Sequence, residues 1–278
     1  MTLIVDLAYS NMTPAHINGQ DVNLPIDWST ISPLPDAVIT KVSELNFTDP
    51  SFIPNWHGLG ALNVPRAGYH FFRNNQLFYN SGKQARVFAS AILAQGFKPS
   101  DYFVLDNEEK DSRGNSIVSM GQSLDWFYNV VVTLGLPDYS RFWLYSTADI
   151  LNNLNLSKLT AAQLAILKSI NVWIAGYPAN PPAGGDLTAL PEAYTPDPAI
   201  YGKVICWQYA ESVPNISNIP GGVDMNQIDP AFLAAWKLQV GAPTPPVIPP
   251  VIPPTTQPDP IIWVQVGHNS GKVEKITP

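Results

Sequence analysis

Short apolar runs alternate with segments of helical periodicity along most of the chain, and this alternation restricts the fold more than any other feature. The runs that read as buried strands are TLIVDLA, DAVITKVS, VPRAGYHFF, DYFVLDNE, RFWLYS, NVWIAGY, GKVICWQYA and GGVDMN. Strands that alternate with helices favour a mostly parallel sheet, because each crossover helix packs on the sheet and returns the chain in the same direction.

Helical segments are predicted at 81–96, 116–135, 148–156, 160–170 and 229–240, with none between the last strands. Ser81 and Asp229 are the expected N-caps, and Gly96 and Gly135 the expected ends of the two long helices. Eight strands with this pattern predict an α/β fold, a modified TIM-like (β/α) barrel whose later strands lack their helices. An open doubly wound sheet is the alternative, but its glycine-rich GxGxxG fingerprint is absent.

The domain organisation follows from a proline-rich boundary. Residues 1–240 are predicted to form the barrel, and residues 241–260, GAPTPPVIPPVIPPTTQPDP, an extended polyproline II linker. Residues 261–278 are too short for a domain. This C-terminal tail could pair as a hairpin around HNSG, and we expect it either to dock on a cell wall or a virion or to be partly disordered.

Composition excludes several classes of function. Fifteen basic against 22 acidic residues give a net charge of −7, which argues against a nucleic-acid partner. No run reaches the ~18 apolar residues that cross a bilayer, so no membrane insertion is expected. The start, MTLIVDLAYSN, lacks a basic signal-peptide region, which predicts synthesis in the cytoplasm of a host cell and release by another route.

Cysteine and histidine give no sign of a metal site or of a cofactor. The single Cys206 lies in an apolar strand, where a buried structural thiol is expected, and it cannot form an internal disulfide. The four histidines show no metal-ligand spacing such as HExxH. We therefore predict that the chain needs neither metal nor cofactor.

Acidic residues follow several of the apolar runs. These are Asp6, Asp106, Glu108 and Asp224, and an active site is expected at the carboxyl ends of barrel strands. Two apart on a strand, Asp106 and Glu108 share a face at about 6–7 Å, so one of the two pKa values is expected to rise. A carboxyl that stays protonated near neutral pH is what a glycosidase needs to protonate a leaving oxygen, and Glu108 is assigned this role.

Aromatic residues fall at the same strand ends. Rings beside carboxylates suit a carbohydrate cleft, and Tyr69, Tyr145, Trp173 and Trp207 are the predicted substrate-binding residues. The alternative is that many of these rings fill the barrel, because neighbours along a strand point to opposite faces.

In their order, these segments resemble glycoside hydrolase family 25, the lysozymes (N-acetylmuramidases) common among phage endolysins. The resemblance runs from about residue 2 to residue 240 and includes IVDLAYSN, IDWSTI, DPSFIPNW, AGYHFF, YFVLDNEE, VWIAGYP, CWQYAESVPNIS and GGVDMN. It departs from the family in an insertion, MTPAHINGQDVNLP, that lengthens the first loop, and in KVSEL, where the family usually has Lys-Ala-Thr-Glu-Gly.

The resemblance implies hydrolysis of the β-1,4 bond between N-acetylmuramic acid and N-acetylglucosamine in bacterial peptidoglycan, and so lysis of the bacterial wall. It implies that Glu108 is the general acid/base, that Asp106 orients the 2-acetamido group of the substrate, and that Asp6 and Asp224 line the cleft. Retention of configuration is also implied. Two alternatives remain at this point: a wall-binding or virion structural protein on the same barrel, and an enzyme acting on chitin.

Overall fold

The computed structural model describes residues 2–17, 20–74, 80–110, 117, 119–179, 187 and 190–241. The proline-rich linker beyond Gly241 and the C-terminal tail lie outside the described residues, so what was expected of them stays a prediction. Among the helices described, none is long and apolar enough to cross a bilayer.

A closed barrel of eight strands forms the centre of the molecule. Its strands are β1 (Ile4–Leu7), β4 (Ala37–Glu44), β6 (Arg66–Phe71), β7 (Tyr102–Asp106), β8 (Phe142–Thr147), β9 (Asn171–Ala175), β10 (Val204–Pro214) and β11 (Gly222–Ile228). Strand β1 pairs with both β4 and β11, which closes the sheet. The predicted α/β barrel is therefore confirmed.

Strand direction changes at one place in this barrel. Six neighbouring pairs are parallel: β1–β4, β4–β6, β6–β7, β7–β8, β8–β9 and β9–β10. Strand β11 is antiparallel to both β10 and β1, because a connection without a helix can return the chain only as a hairpin. The end of β11 that lies beside the carboxyl ends of the other strands is therefore its amino end.

Six α-helices are described: α1 (Phe52–Ala61), α2 (Ser81–Gln95), α3 (Met120–Leu134), α4 (Ala148–Asn152), α5 (Ala161–Ser169) and α6 (Pro230–Gly241). The connection from β10 to β11 has no helix, and the described part of the β9–β10 connection has only a short 3-10 turn at Glu192–Tyr194. The prediction that the later strands lack helices is confirmed.

Helix α1 was not predicted, because Pro54, Gly58 and Gly60 obscured its signal. Pro54 lies in the first turn, where a missing backbone N–H breaks no helical hydrogen bond. Gly58 packs against the Trp28 ring, and a Cβ there would lie 2.3 Å from Trp28 Cδ1. The glycine is thus required by a tertiary contact.

Helix ends and one loop refine the other expectations. Asn80, and not Ser81, caps α2 by accepting from the Lys83 backbone N–H at 3.1 Å. Asp229 caps α6 as predicted, accepting from the Phe232 N–H at 2.8 Å. The insertion in the first loop forms a hairpin of β2 (Thr13–Ile17) and β3 (Gln20–Leu24), and the short strand β5 (Phe47–Thr48) pairs with β4.

Side chains that alternate along the strands divide the core into two layers. Outward-facing residues pack under the helices, and inward-facing ones fill the barrel. The inward set includes Ile4, Ala37, Ile39, Ala67, Tyr102, Val104, Trp143, Tyr145, Trp173, Ala175, Ile205, Cys206 and Ile228. Large rings lie among alanines, which leave room for them. Cys206 belongs to this set and is buried, as expected.

Helix α6 covers the amino ends of the strands and closes that end of the barrel. Trp236 is fully buried against Tyr102 and Trp143, with ring centroids 5.1 and 5.4 Å away. Its indole N–H donates to the Ser100 carbonyl at 2.7 Å. Because rings fill this end in the described part of the chain, a ligand is expected at the opposite end of the barrel.

Trp236→Ala is expected to destabilise the protein by about 3–5 kcal/mol, because the lost ring leaves a cavity at the closed end. Leu238→Ala is the control on the same helix; Leu238 is 78% exposed, and a change within about 0.5 kcal/mol is expected. Denaturant unfolding measures both free energies. Equal effects of the two substitutions would contradict this account of α6.

Candidate active site

The candidate active site lies at the end of the barrel where the parallel strands finish. Asp6 on β1, Lys41 on β4, Tyr69 on β6, Asp106 on β7 and Tyr145 on β8 share the inward face with the buried apolar residues earlier in each strand. Alternation thus produces a layered interior, apolar near α6 and acidic at the open end.

Asp224 reaches the same end from the opposite direction. It is the third residue of β11 and is the register partner of Asp6. The expectation that Asp224 follows a strand at its carboxyl end was wrong, because β11 is antiparallel. The two carboxylates still meet, since the amino end of β11 lies beside the carboxyl end of β1.

Glu108 lies just beyond its strand. Strand β7 ends at Asp106, so the expectation that both acids lie on the strand was wrong for Glu108. Asn107 continues the ladder by donating its N–H to the Tyr145 carbonyl at 3.0 Å, while its side chain turns to Ser123 of α3 at 2.8 Å. Glu108 is half-buried and hydrogen bonds with Tyr145, so it faces the site.

Two amide side chains hold the acids in place. Asp6 Oδ2 accepts from Gln208 Nε2 at 3.0 Å and from Asn226 Nδ2 at 2.8 Å. Gln208 Nε2 also lies 3.3 Å from Asp224 Oδ2, and Gln208 Oε1 accepts from the Tyr145 hydroxyl at 2.6 Å. The Gln208 amide therefore connects the Asp6–Asp224 pair to Tyr145.

Burial and mutual repulsion make these carboxyls hard to ionise. Burial, followed by the charge of Asp224, raises the pKa of Asp6 to about 8. Burial and the charge of Glu108 raise the pKa of Asp106 well above its ordinary value. The pKa values of Glu108 and Asp224 are raised too, mainly by burial. The rise expected for one acid of the pair is therefore present in all four, and Asp6, with a pKa of about 8, retains its proton at neutral pH.

Asp106 has a free acceptor. Its Oδ1 atom is buried and accepts no hydrogen bond from the described residues. An unsatisfied buried oxygen is costly unless a ligand supplies the donor. Asp106 can therefore receive an N–H or O–H from a substrate in the cleft.

A basic flank borders Asp106. Glu44 accepts from Lys41 Nζ and Arg73 Nε, each at 2.6 Å, and both cations lie over the Phe71 ring at 5.1 and 4.3 Å from its centroid. The charges of Lys41 and Arg73 oppose the rise in the pKa of Asp106. This flank therefore limits the rise in the pKa of Asp106 that burial causes.

Two of the predicted substrate-binding aromatics lie at the site. Tyr69 is half-buried, and its hydroxyl pKa is raised by burial and then by the charges of Asp6 and Asp106. Tyr145 is 4% exposed, with its hydroxyl among the polar groups of the cluster. Both are positioned to meet a bound ligand through their hydroxyl ends.

The two tryptophans lie elsewhere. Trp207 faces outward and is fully buried, donating to the Gly176 carbonyl at 2.7 Å, so its prediction as a cleft residue was wrong. Trp173 faces inward but lies against the Tyr145 ring, 4.4 Å between centroids, and is 2% exposed. It offers no face to a sugar, and its indole N–H donates to Asn226 Oδ1 at 2.8 Å.

Gln208, Asn226, Lys41 and Tyr177 were missed by the sequence reasoning. A signal existed for Asn226, which is two residues after Asp224 and so shares its face. Gln208 carries no such signal, because an inward-facing Trp207, as expected from the sequence, would turn the neighbouring side chain outward. In the part of the chain that the structure describes, no three His, Cys, Asp or Glu side chains are grouped as metal ligands.

Comparison with known families identifies this arrangement. The model of the glycosyl hydrolases family 25 matches residues 20–218, well over half of the chain. The chain belongs to glycosyl hydrolase family 25. The matched stretch contains Asp106 and Glu108 and excludes Asp6 and Asp224, which the tertiary structure adds to the site. No curated protein sequence matches the chain.

Solved structures of family 25 enzymes share the fold. The lysozyme from Streptomyces coelicolor is 19% identical, with a TM-score of 0.57 over 86% of this chain and 98% of its own. The catalytic domain of endolysin ply40, from bacteriophage P40 of Listeria monocytogenes, is 20% identical, with a TM-score of 0.56 over 85% of this chain and 97% of its own. The autolysin LytC of Streptococcus pneumoniae, solved with a synthetic peptidoglycan ligand, is 18% identical. Its TM-score is 0.54, over 81% of this chain and 46% of its own.

Asn226→Ala is expected to raise the pKa of Asp6 further above about 8, by roughly one unit, because it removes a donor that favours the ionised carboxylate. A ¹³C NMR titration of the Asp6 carboxyl measures the change. Asn129→Ala, on α3 outside the acidic cluster, is the control and leaves that titration unaltered. An unchanged pKa in Asn226→Ala would show that this amide does not hold the acid.

Proposed function

We propose that this chain is a peptidoglycan hydrolase, a lysozyme that cleaves the β-1,4 bond between N-acetylmuramic acid and N-acetylglucosamine. The observation that supports it most is the pairing of half-buried Glu108, whose pKa is raised, with buried Asp106 inside a family 25 barrel. A carboxyl kept protonated beside a second acid is suited to protonating a glycosidic oxygen.

In the proposed reaction, Glu108 is the general acid and then the general base. Its proton passes to the bridging oxygen as the bond from that oxygen to C1 of the muramic acid residue breaks, and the N-acetylglucosamine unit leaves as an alcohol. Glu108, now a carboxylate, removes a proton from the water that attacks C1 afterwards. Bond cleavage at the sugar thus needs one carboxyl in two protonation states.

Asp106 is proposed to assist the first step through the substrate. Its unpaired Oδ1 can accept the N–H of the 2-acetamido group, which directs the acetamido carbonyl oxygen towards C1. Attack by that oxygen forms a cyclic intermediate, and water opens it with overall retention of configuration. Substrate assistance of this kind requires no protein nucleophile.

Asp6 and Asp224 complete the acidic end of the barrel. A partial positive charge develops on the sugar ring in the transition state, and the carboxyl oxygens of this pair can stabilise it. Gln208 Nε2 lies close to both carboxyls, and the proton retained by Asp6 limits their mutual repulsion. The reduced repulsion allows the two carboxyls to remain close together in the folded protein.

The known relatives support the substrate. The similar solved structures are lysozymes, endolysins and muramidases, and one of them holds a synthetic peptidoglycan ligand. A non-catalytic wall-binding or virion protein is not favoured, because all four acids are present and gathered. Chitin as a substrate has no observation in its favour beyond the shared amino sugar.

The setting of the activity is also a proposal. The bacteriophage endolysin among the structural relatives supports a role in phage lysis of bacteria, with the enzyme acting at the cell wall and so being antimicrobial. We further propose that residues 241–260 are a linker and that the tail at 261–278 attaches the enzyme to a wall or a virion. The repeated PPVI unit supports the linker.

Digestion of purified peptidoglycan tests the function. Mass spectrometry of the products is expected to show new reducing ends of muramic acid. Glu108→Gln should keep the fold and lower kcat by at least about 100-fold, because only the proton donor is lost.

Glu109→Gln is the matched control for Glu108→Gln. Glu109 turns away to accept from the Asn74 N–H at 2.6 Å, so wild-type product formation is expected. Folded wild-type protein that bound walls without releasing these ends would favour the binding protein, and full activity in Glu108→Gln would overturn the assignment of the acid.

A chain truncated after Gly241 tests the proposed organisation. It retains all of α6 and is expected to unfold with the same free energy as the full chain and to keep its kcat on soluble glycan fragments. Binding to intact walls, measured by sedimentation, is expected to weaken. A truncated chain that failed to fold would refute the two-part organisation.

A further inference from the structure

A fifth carboxylate, Glu211, lies beside the four acids of the site. Strict alternation along β10 would turn it outward, because Gln208 faces inward and Glu211 is three residues later. The register between β10 and β11 shifts between Gln208 and Ala210: Gln208 pairs with Asn226, and Ala210 pairs with Met225. This β-bulge inserts one residue and turns Glu211 to the same face as Asp224.

A second irregularity holds Glu211 there. The register shifts again between Ala210 and Val213, and Ser212 adopts a left-handed conformation with φ of 53°. Its N–H donates to Asp224 Oδ1 at 2.8 Å, and a Cβ on Gly222 would lie 2.7 Å from the Ser212 backbone. Bulges beside active sites commonly redirect side chains, and strain in a non-glycine residue points to a positional role.

Two tyrosine hydroxyls connect Glu211 to Glu108. The Tyr177 hydroxyl donates to Gln208 Oε1, lies 3.4 Å from the Tyr145 hydroxyl, and has its pKa raised in part by the neighbouring Glu211. The Tyr145 hydroxyl in turn hydrogen bonds with Glu108. Glu211 is therefore near enough to act on Glu108 by charge, yet its own side chain is exposed to solvent.

We propose that Glu211 is a positioning residue whose negative charge sets the upper pH limit at which Glu108 remains protonated. The inference rests on the proposed function, in which Glu108 must donate a proton. A negative charge beside an acid opposes ionisation of that acid, and the charge of Glu211 is among the causes that raise the pKa of Glu108. Glu211 thereby keeps Glu108 protonated up to a higher pH.

Other groups face Glu108 and set the background against which Glu211 acts. They come from the neighbouring strands and loops: Asp6, Asp106, Tyr145, Tyr177 and Asp224, with Lys110 in the same loop, and with Tyr69, Lys41 and Arg73 acting on Asp106. Most of these groups are buried. Glu211 differs from the other acids in its exposure, so its effect alone should be weakened by salt.

The pH profile of kcat/KM for the full chain tests the inference. Glu211→Gln removes the negative charge and keeps a side chain of nearly the same shape and size. The pKa of Glu108 then falls, and activity is lost at lower pH as the solution is made alkaline. The alkaline limb of the profile, where activity falls as the pH rises, is expected to shift down by about half a pH unit. On the acid side, kcat is expected to stay within about twofold of wild type.

Three comparisons make the test specific. Glu211→Asp retains the charge and should restore the wild-type limb. Asp138→Asn, in the connection before β8 at the closed end of the barrel, should leave it unmoved. Raising the salt to about 0.5 M should bring wild type towards Glu211→Gln. An unshifted limb in Glu211→Gln, or an equal loss of activity at every pH, would overturn the proposal.

A direct titration separates this inference from the proposed function. ¹³C NMR of the Glu108 carboxyl is expected to give a lower pKa in Glu211→Gln than in wild type, whether or not peptidoglycan is cleaved. If wild type proved inactive while this difference was found, the function would fail and the electrostatic link would stand. Equal titrations of Glu108 in the two proteins would refute the link.

Discussion

The structure of the site depends on closure of the barrel by one antiparallel strand. Strand β11 lies between β1 and β10, which places Asp224 opposite Asp6 at the open end. The hairpin that leads into β11 needs no helix, and its two bulges set the positions of Ser212 and Glu211. Acids that are far apart in the chain, such as Asp6 and Asp224, are therefore neighbours because of how the sheet closes.

Gathering these carboxyls has an energetic cost that the site offsets in two ways. Amide donors from Gln208 and Asn226 stabilise the charged form of Asp6, while retained protons reduce repulsion within the cluster. Both arrangements serve the proposed chemistry, because a glycosidase needs one carboxyl protonated and another able to ionise. The filled, ring-lined end under α6 directs this chemistry to the opposite end of the barrel.

Much of the fold and part of the site could be predicted from local patterns. The strands, the long helices and the four acids all follow from alternation and from acids at the ends of apolar runs. The errors have physical causes. Trp207 was misplaced because the inward or outward phase of β10 depends on its pairing, and α1 was missed because a packed glycine resembles a helix breaker. The bulge that turns Glu211 inward could not be predicted, because it interrupts the two-residue alternation on which the strand predictions rest.

The sequence by itself determined the α/β barrel and the presence of Asp106 and Glu108 at a strand end, because hydrophobic periodicity and residue spacing are local properties. Only the tertiary structure decided that Asp224 approaches Asp6 from an antiparallel strand and that Gln208 joins the acids to Tyr145. It also decided that Trp173 packs against Tyr145 and donates to Asn226 instead of facing a ligand. These relations depend on strand direction, register and closure, which arise from contacts between residues up to 220 positions apart in the chain.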